Sequence, residues 1–192
     1  MKITAMVAVA LTVAMSARAA EVTVYVQGLS AVPLPVLNRA RVLANGMFAA
    51  VNVKIDWRAG QPTRRQSQHQ GALMIEIVTD TPRELKPGAL AFARPYEGVH
   101  IDVFYDRVRA ATEPELTPNV LAHVLVHEIT HILQGTCRHS DTGVMKARWN
   151  HEDYMEMRLP PLSFTEEDVQ LIRAGLADRA DARTPMATAG LR

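Results

Sequence analysis

A single cysteine, Cys137, in 192 residues excludes an internal disulfide, so the folded chain must rely on its apolar core and on any ligand it holds. Neither sign of charge dominates: 21 basic residues stand against 20 acidic ones. Without residues 1–19, which carry Lys2 and Arg18, the balance becomes 19 against 20. That near-neutrality gives no basis for nucleic-acid or anionic-membrane binding. Internal repeats are absent. After the first twenty residues, no apolar segment approaches the roughly 20 residues needed to cross a bilayer.

The first residues have their own pattern. Lys2 gives a positive start, Ile3 to Met15 is apolar apart from Thr4 and Thr12, and small residues follow, with Ala17 and Ala19 spaced as in an A-x-A cleavage site. This is the layout of a secretory signal peptide over residues 1–19. The apolar run is too short for an anchor. The mature chain is therefore expected to be secreted or periplasmic, off the membrane and monomeric, with one domain over 20–177 and a disordered tail over 178–192.

Within that domain, EVTVYVQ (Glu21–Gln27) alternates as a strand. Pro33 and Pro35 mark a helix start, and Val36, Leu37, Ala40, Leu43, Ala44, Met47 and Phe48 recur with helical period to about Asn52. Val51–Trp57 alternates again. Strand, helix and strand make a βαβ unit with parallel pairing. A polar loop over 58–70, a buried strand (Ala72–Val78), a short extended piece (Ala89–Pro95) and a half-exposed strand (Val99–Val108) follow. Thr117-Pro118 reads as N-cap and N1 of a mostly apolar helix that Gly135 ends. Irregular chain is expected to about Arg148, and a closing helix starts within Ser163–Glu167 and directs Val169, Leu171, Ile172 and Leu176 to the core. The fold class is α+β with an α/β start: a mixed twisted sheet, an active-site helix, a loop and a C-terminal helix.

The apolar helix holds His127-Glu128-Ile129-Thr130-His131, an H-E-x-x-H string. Residues four apart share a helix face, their Cβ atoms about 5–6 Å apart, so two imidazoles can reach one Zn²⁺. Glu128, about 100° round the helix from His127, falls beside the metal rather than on it. Zinc lowers the pKa of a bound water to about 7, and a carboxylate there can take its proton as the water attacks a carbonyl carbon. Burying a glutamate and two histidines in such a helix is costly without a partner, and a metal is one. Glycine accepts positive φ, so Gly135 can turn the chain back and bring His139 to the same metal. Met145, six residues further on, would give the site an apolar floor.

HEITHILQGTCRHSDTGVM resembles the metzincin signature, H-E-x-x-H-x-x-G-x-x-H followed by a Met-turn, and is closest to the matrixin branch. The segment HSDTGVMKARW is also similar to bacterial secreted proteins of this general type. The spacing on each side of Gly135 is one residue longer than in the signature, and no aromatic follows Met145. The resemblance implies a metzincin-like zinc endopeptidase acting on protein or peptide substrates. In it His127, His131 and His139 are metal ligands, Glu128 is the general base and Met145 is the Met-turn residue.

Other readings stay open at this level. Glu152, 21 residues after His131, would suit a gluzincin in which a glutamate from a later helix is the third ligand. Cys137 could replace His139. The metal could be purely structural in a non-catalytic exported protein. His123, one turn before His127, reads as packing or as support for a ligand. His100, Asp102 and Asp106 share one side of a strand, where a solvated face competes with a structural cation site.

Overall fold

The β-branched run at the start of the domain forms an inner strand, β1 (Ala20–Gln27), with Val22, Val24, Tyr25 and Val26 buried. In this computed structural model residues 19–63, 71–96 and 99–182 are described. Nearly all of the expected signal segment, most of the polar loop over 58–70 and the last ten residues of the expected tail lie outside them. A 3₁₀ turn (Leu29–Ala31) leads into α1 (Leu34–Ala49), which has proline in its first turn and Leu37, Ala40, Ala44, Met47 and Phe48 buried. Val36 and Leu43 are partly buried against the same core. The helix ends at Ala49, short of Asn52, because Asn52 takes φ 62, a left-handed conformation that asparagine tolerates better than most residues. Strand β2 (Val53–Ala59) then pairs parallel with β1, Ala20 opposite Val53 and Val26 opposite Ala59.

Strand β3 (Leu73–Val78) lies parallel to β1 on its other side, followed by β5 (His100–Phe104), also parallel. Strand β4 (Ala91–Ala93) runs antiparallel to β5 at the edge, giving the order β2-β1-β3-β5-β4. The expected strand over Val99–Val108 is cut short. A helix, α2 (Tyr105–Ala110), takes over after Phe104. Tyr105 and Val108 are both buried, and three apart they suit one helix face; alternation and helical period coincide over so short a run.

The central helix α3 (Thr117–Gln134) is buried almost throughout, as expected of one that is apolar on most faces. Its N-cap residue is Leu116 and Thr117 is already helical, so the expected Thr117 cap is displaced by one position. Helix α1 packs along α3, where Ala40 and Ala44 are fully buried. A short helix, α4 (His151–Glu156), interrupts the stretch after Arg148, and its start is closed by a capping box between Asn150 and Asp153. The closing helix α5 (Glu166–Asp181) corrects the expectation of a disordered tail from 178, since residues 178–181 continue its helical turns; it has its own capping box, between Thr165 and Asp168. It crosses α3 so closely that a Cβ on Gly175 would lie 1.8 Å from the Leu133 carbonyl oxygen.

Candidate metal centre

Helical spacing brings His127 and His131 side by side on α3, and their Nε2 atoms lie 3.0 Å apart. Each ring is oriented from behind. His127 Nδ1 is 2.8 Å from the Val144 carbonyl oxygen, and His131 Nδ1 is 2.9 Å from that of Thr136. A carbonyl only accepts, so both Nδ1 atoms carry the hydrogen and both Nε2 atoms present lone pairs. Two lone pairs at that distance repel unless a cation sits between them. Two nitrogens of a tetrahedral zinc at about 2.0–2.1 Å would be about 3.3 Å apart, close to the spacing here.

The third histidine arrives through a chain reversal. Gly135 ends α3 at φ 65, and its N–H bonds the His131 carbonyl; without a Cβ it takes this conformation unstrained. The chain then returns, and one ligand atom from each of His127, His131 and His139 lies within 4.8 Å of the others. The His139 ring stacks at 5.3 Å on His127 and meets His131 edge-on at 4.9 Å. His139 is exposed, whereas the helix pair is buried. Burial pushes His127 down to about 4 and His131 to about 3, and it lowers His139 as well. All three rings are therefore neutral near pH 7, the form that coordinates a metal. The donor set fits zinc.

Glu128 is buried beside this group, and the N–H of Ala93 on β4 bonds its carboxylate. Burial raises it to about 7, against the opposing effect of the Ala93 bond. The histidines and Glu128 open onto a cleft of about 550 Å³ with two unlike walls. One wall is Pro87–Ala93, the other Lys146–Trp149 with Tyr154. Met145 is fully buried, and its carbonyl accepts the Ser140 N–H at 2.8 Å, tying its turn to the residue after His139.

Asp168 was not singled out from the sequence, yet it holds both neighbours of His139. Its Oδ1 accepts from Ser140 Oγ at 2.6 Å and from Arg138 Nη1 at 3.1 Å. Its Oδ2 accepts from the Thr165 hydroxyl at 2.7 Å and the Thr165 N–H at 2.9 Å. The signal available was the T-x-x-D capping pattern, which says nothing of partners about thirty residues away.

Glu152 does not join the histidines. It is exposed on α4 and lies outside the three-residue cluster, so the gluzincin alternative is corrected: the capping box turns the start of α4 on Asp153 and leaves Glu152 in solvent. Cys137 lines the cleft but is likewise outside the cluster. Asp102 is paired with Arg94, and Asp106 accepts two bonds from Thr81. His123 is fully buried, with Nδ1 2.7 Å from the Asn119 carbonyl and Nε2 accepting the Leu162 N–H at 3.0 Å. Trp149 packs edge-on against both His123 and His127.

No protein-family model and no curated protein matches this chain. Among solved structures, archaemetzincin from Methanopyrus kandleri superposes with a TM-score of 0.54, over 84% of this chain and 98% of that one. The fold is that of archaemetzincin. At 15% identity the likeness is one of fold alone: a single mixed α/β domain with a five-stranded mixed sheet. Two of the three clustered histidines, His127 and His131, stand on the central helix of this archaemetzincin-like fold, and His139 stands on the chain that follows it.

Proposed function

We propose that this protein is a zinc-dependent endopeptidase of the metzincin type, with His127, His131 and His139 as metal ligands and Glu128 as general base. The observation that carries the reading is the meeting of three neutral imidazoles and a buried carboxylate at an open cleft. A structural zinc site is closed by its protein ligands, whereas here His139 is exposed and three ligands leave a position open. Zinc, when bound, would supply Lewis-acid polarisation of a carbonyl and acidify water. Val144 and Thr136 carbonyls hold the helix histidines in the tautomer that presents Nε2. Glu128 takes the proton of the attacking water on its carboxylate and passes it to the leaving amine. Met145 is the Met-turn residue beneath the ligands.

The edge strand supports a peptide as substrate. Leu90 and Arg94 bond to β5 through Phe104 and His100, so by antiparallel alternation the N–H and C=O groups of Ala91 and Ala93 lie on the outer edge of β4, where the Ala93 N–H is taken by Glu128 and the Ala91 N–H and both carbonyls face a substrate. That edge lines the cleft, and an extended peptide can add to it as a further strand. The signal-like residues 1–19 motivate export, with hydrolysis outside the cytoplasm. Among the described residues no helix is long and apolar enough to cross a membrane.

The test is metal content and peptidase activity of wild type and Glu128→Ala. The variant should keep its zinc and lose activity by about a hundredfold or more. Equal, chelator-insensitive activity in both proteins would sink the mechanism.

A further inference from the structure

One wall of the cleft is built on a single guanidinium. Arg107, in α2, donates from Nη1 to the carbonyls of Lys86 at 2.7 Å and Ala89 at 3.0 Å. From Nη2 it donates to those of Leu85 at 2.7 Å and Pro82 at 2.9 Å. Its other face lies over the Phe104 ring at 4.8 Å. Four main-chain oxygens converging on one point make the kind of cage that divalent cations take. A guanidinium fills such a cage with a positive charge and a planar fork that fixes direction as well as distance. The same helix holds the start of the loop, where Asp106 accepts from the Thr81 N–H at 3.2 Å and hydroxyl at 2.7 Å.

The loop gripped in this way is part of the site. Pro87, Gly88 and Ala89 line the cleft, and the chain continues directly into β4, whose Ala93 N–H bonds Glu128. Apart from two turn bonds (Leu85 N–H to the Pro82 carbonyl and Ala89 N–H to that of Lys86) and the Lys86 ammonium over the Phe92 ring, the loop is open: residues 82–88 are exposed, Lys86 sits at φ 46, and a Cβ on Gly88 would touch nothing within 4 Å. Backbone carbonyls gathered without a counter-charge would repel one another, and loop closure costs entropy.

We propose that Arg107 is the resident cation of the loop from Pro82 to Ala89, a positioning residue that holds this wall of the cleft in the shape that receives substrate. The substrate part of the proposal rests on the peptidase reading; the loop part does not. Two readouts separate them. The first is limited trypsin cleavage after Arg83, followed by mass spectrometry, on native wild type, Arg107→Ala and Arg107→Lys; Lys86 precedes Pro87 and is no trypsin site. The second is the kcat and KM of the same proteins, with zinc content and thermal midpoint measured alongside.

Wild type should resist cleavage in this loop, while Arg107→Ala is cut there with zinc content unchanged. Its KM should rise by about tenfold, because substrate must then order the wall, with kcat nearly preserved. Arg107→Lys keeps a charge but not the fork, and should fall on the side of Arg107→Ala. If Arg107→Ala does not fold, the lysine variant decides. A lysine variant equal to wild type in both readouts, or a wild-type loop cut as fast as the alanine variant's, overturns the proposal. If wild type hydrolyses no peptide, the peptidase reading fails and trypsin cleavage alone judges Arg107.

Discussion

Asp168 offers the sharpest test of how the exposed third histidine is held. Its carboxylate is fully buried and accepts four bonds, two from the residues that flank His139 and two from Thr165. Asp168→Ala removes all four. It leaves the Ser140 hydroxyl only the more distant Thr165 hydroxyl, at 3.5 Å, as an acceptor, and it deprives Arg138 of one of two acidic partners, Glu167 being the other. Losing the capping box costs about 1 kcal/mol. A buried hydroxyl left so poorly satisfied adds about 1–2 kcal/mol. Arg138 is 31% exposed, so its share of the ion pair is discounted to about 1 kcal/mol. The sum is about 3–4 kcal/mol, readable by urea denaturation. The more telling quantity is metal affinity, because loosening Arg138 and Ser140 frees His139 between them. Supports of this kind typically change metal affinity by about 10–100-fold. Thr165→Ala is the matched control: it breaks the same capping box but leaves Asp168 with its bonds to Arg138 and Ser140. Competition against a chromogenic chelator should show weakened zinc binding in Asp168→Ala and near wild-type binding in Thr165→Ala. Equal affinity in all three proteins would refute the reasoning and reduce Asp168 to a helix cap.

Asp168 also sets a pH dependence. Burial alone would raise its carboxyl, but the bonds from Ser140, Thr165 and Arg138 outweigh burial and hold it below its ordinary 3.8. A depressed carboxyl stabilises the fold above its unfolded value and loses that contribution as pH falls through the folded one. The denaturation midpoint should therefore fall on going from about pH 5 to pH 3, and Asp168→Asn should flatten that slope. His123→Phe fills the same space but leaves the Leu162 N–H without its acceptor; it should cost about 1–3 kcal/mol in chemical denaturation with zinc stoichiometry unchanged. Gly175→Ala drives a methyl group into the Leu133 carbonyl and should destabilise by about 1–3 kcal/mol in a thermal melt.

Much of the chemistry was legible in local sequence, because its physical basis is local. Four-residue spacing on an apolar helix puts His127 and His131 on one face, and a glycine just past that helix allows the reversal that brings His139 back. The βαβ start was legible for a similar reason: alternation and helical period are written over a dozen residues at a time, and β1 and β2 do pair in parallel. Where two periods overlap within a few residues the reading failed, as at Tyr105 and Val108, which suit a strand or a helix equally.

What only the tertiary structure decided depends on contacts between distant segments. Strand β4 is three residues long, and nothing in its sequence says that it pairs antiparallel at the sheet edge. Glu152 and His139 both lie within reach of the helix histidines along the chain; the capping of α4 on Asp153 leaves the first in solvent. Arg107 and Asp168 looked like ordinary polar residues. Their roles come from oxygens 18 to 25 residues away in one case and from a loop about thirty residues away in the other. Hydrogen bonds are short-ranged in space but indifferent to sequence separation, so the clustered histidines follow from the sequence, while the residues that hold them and the cleft wall in place follow from the fold.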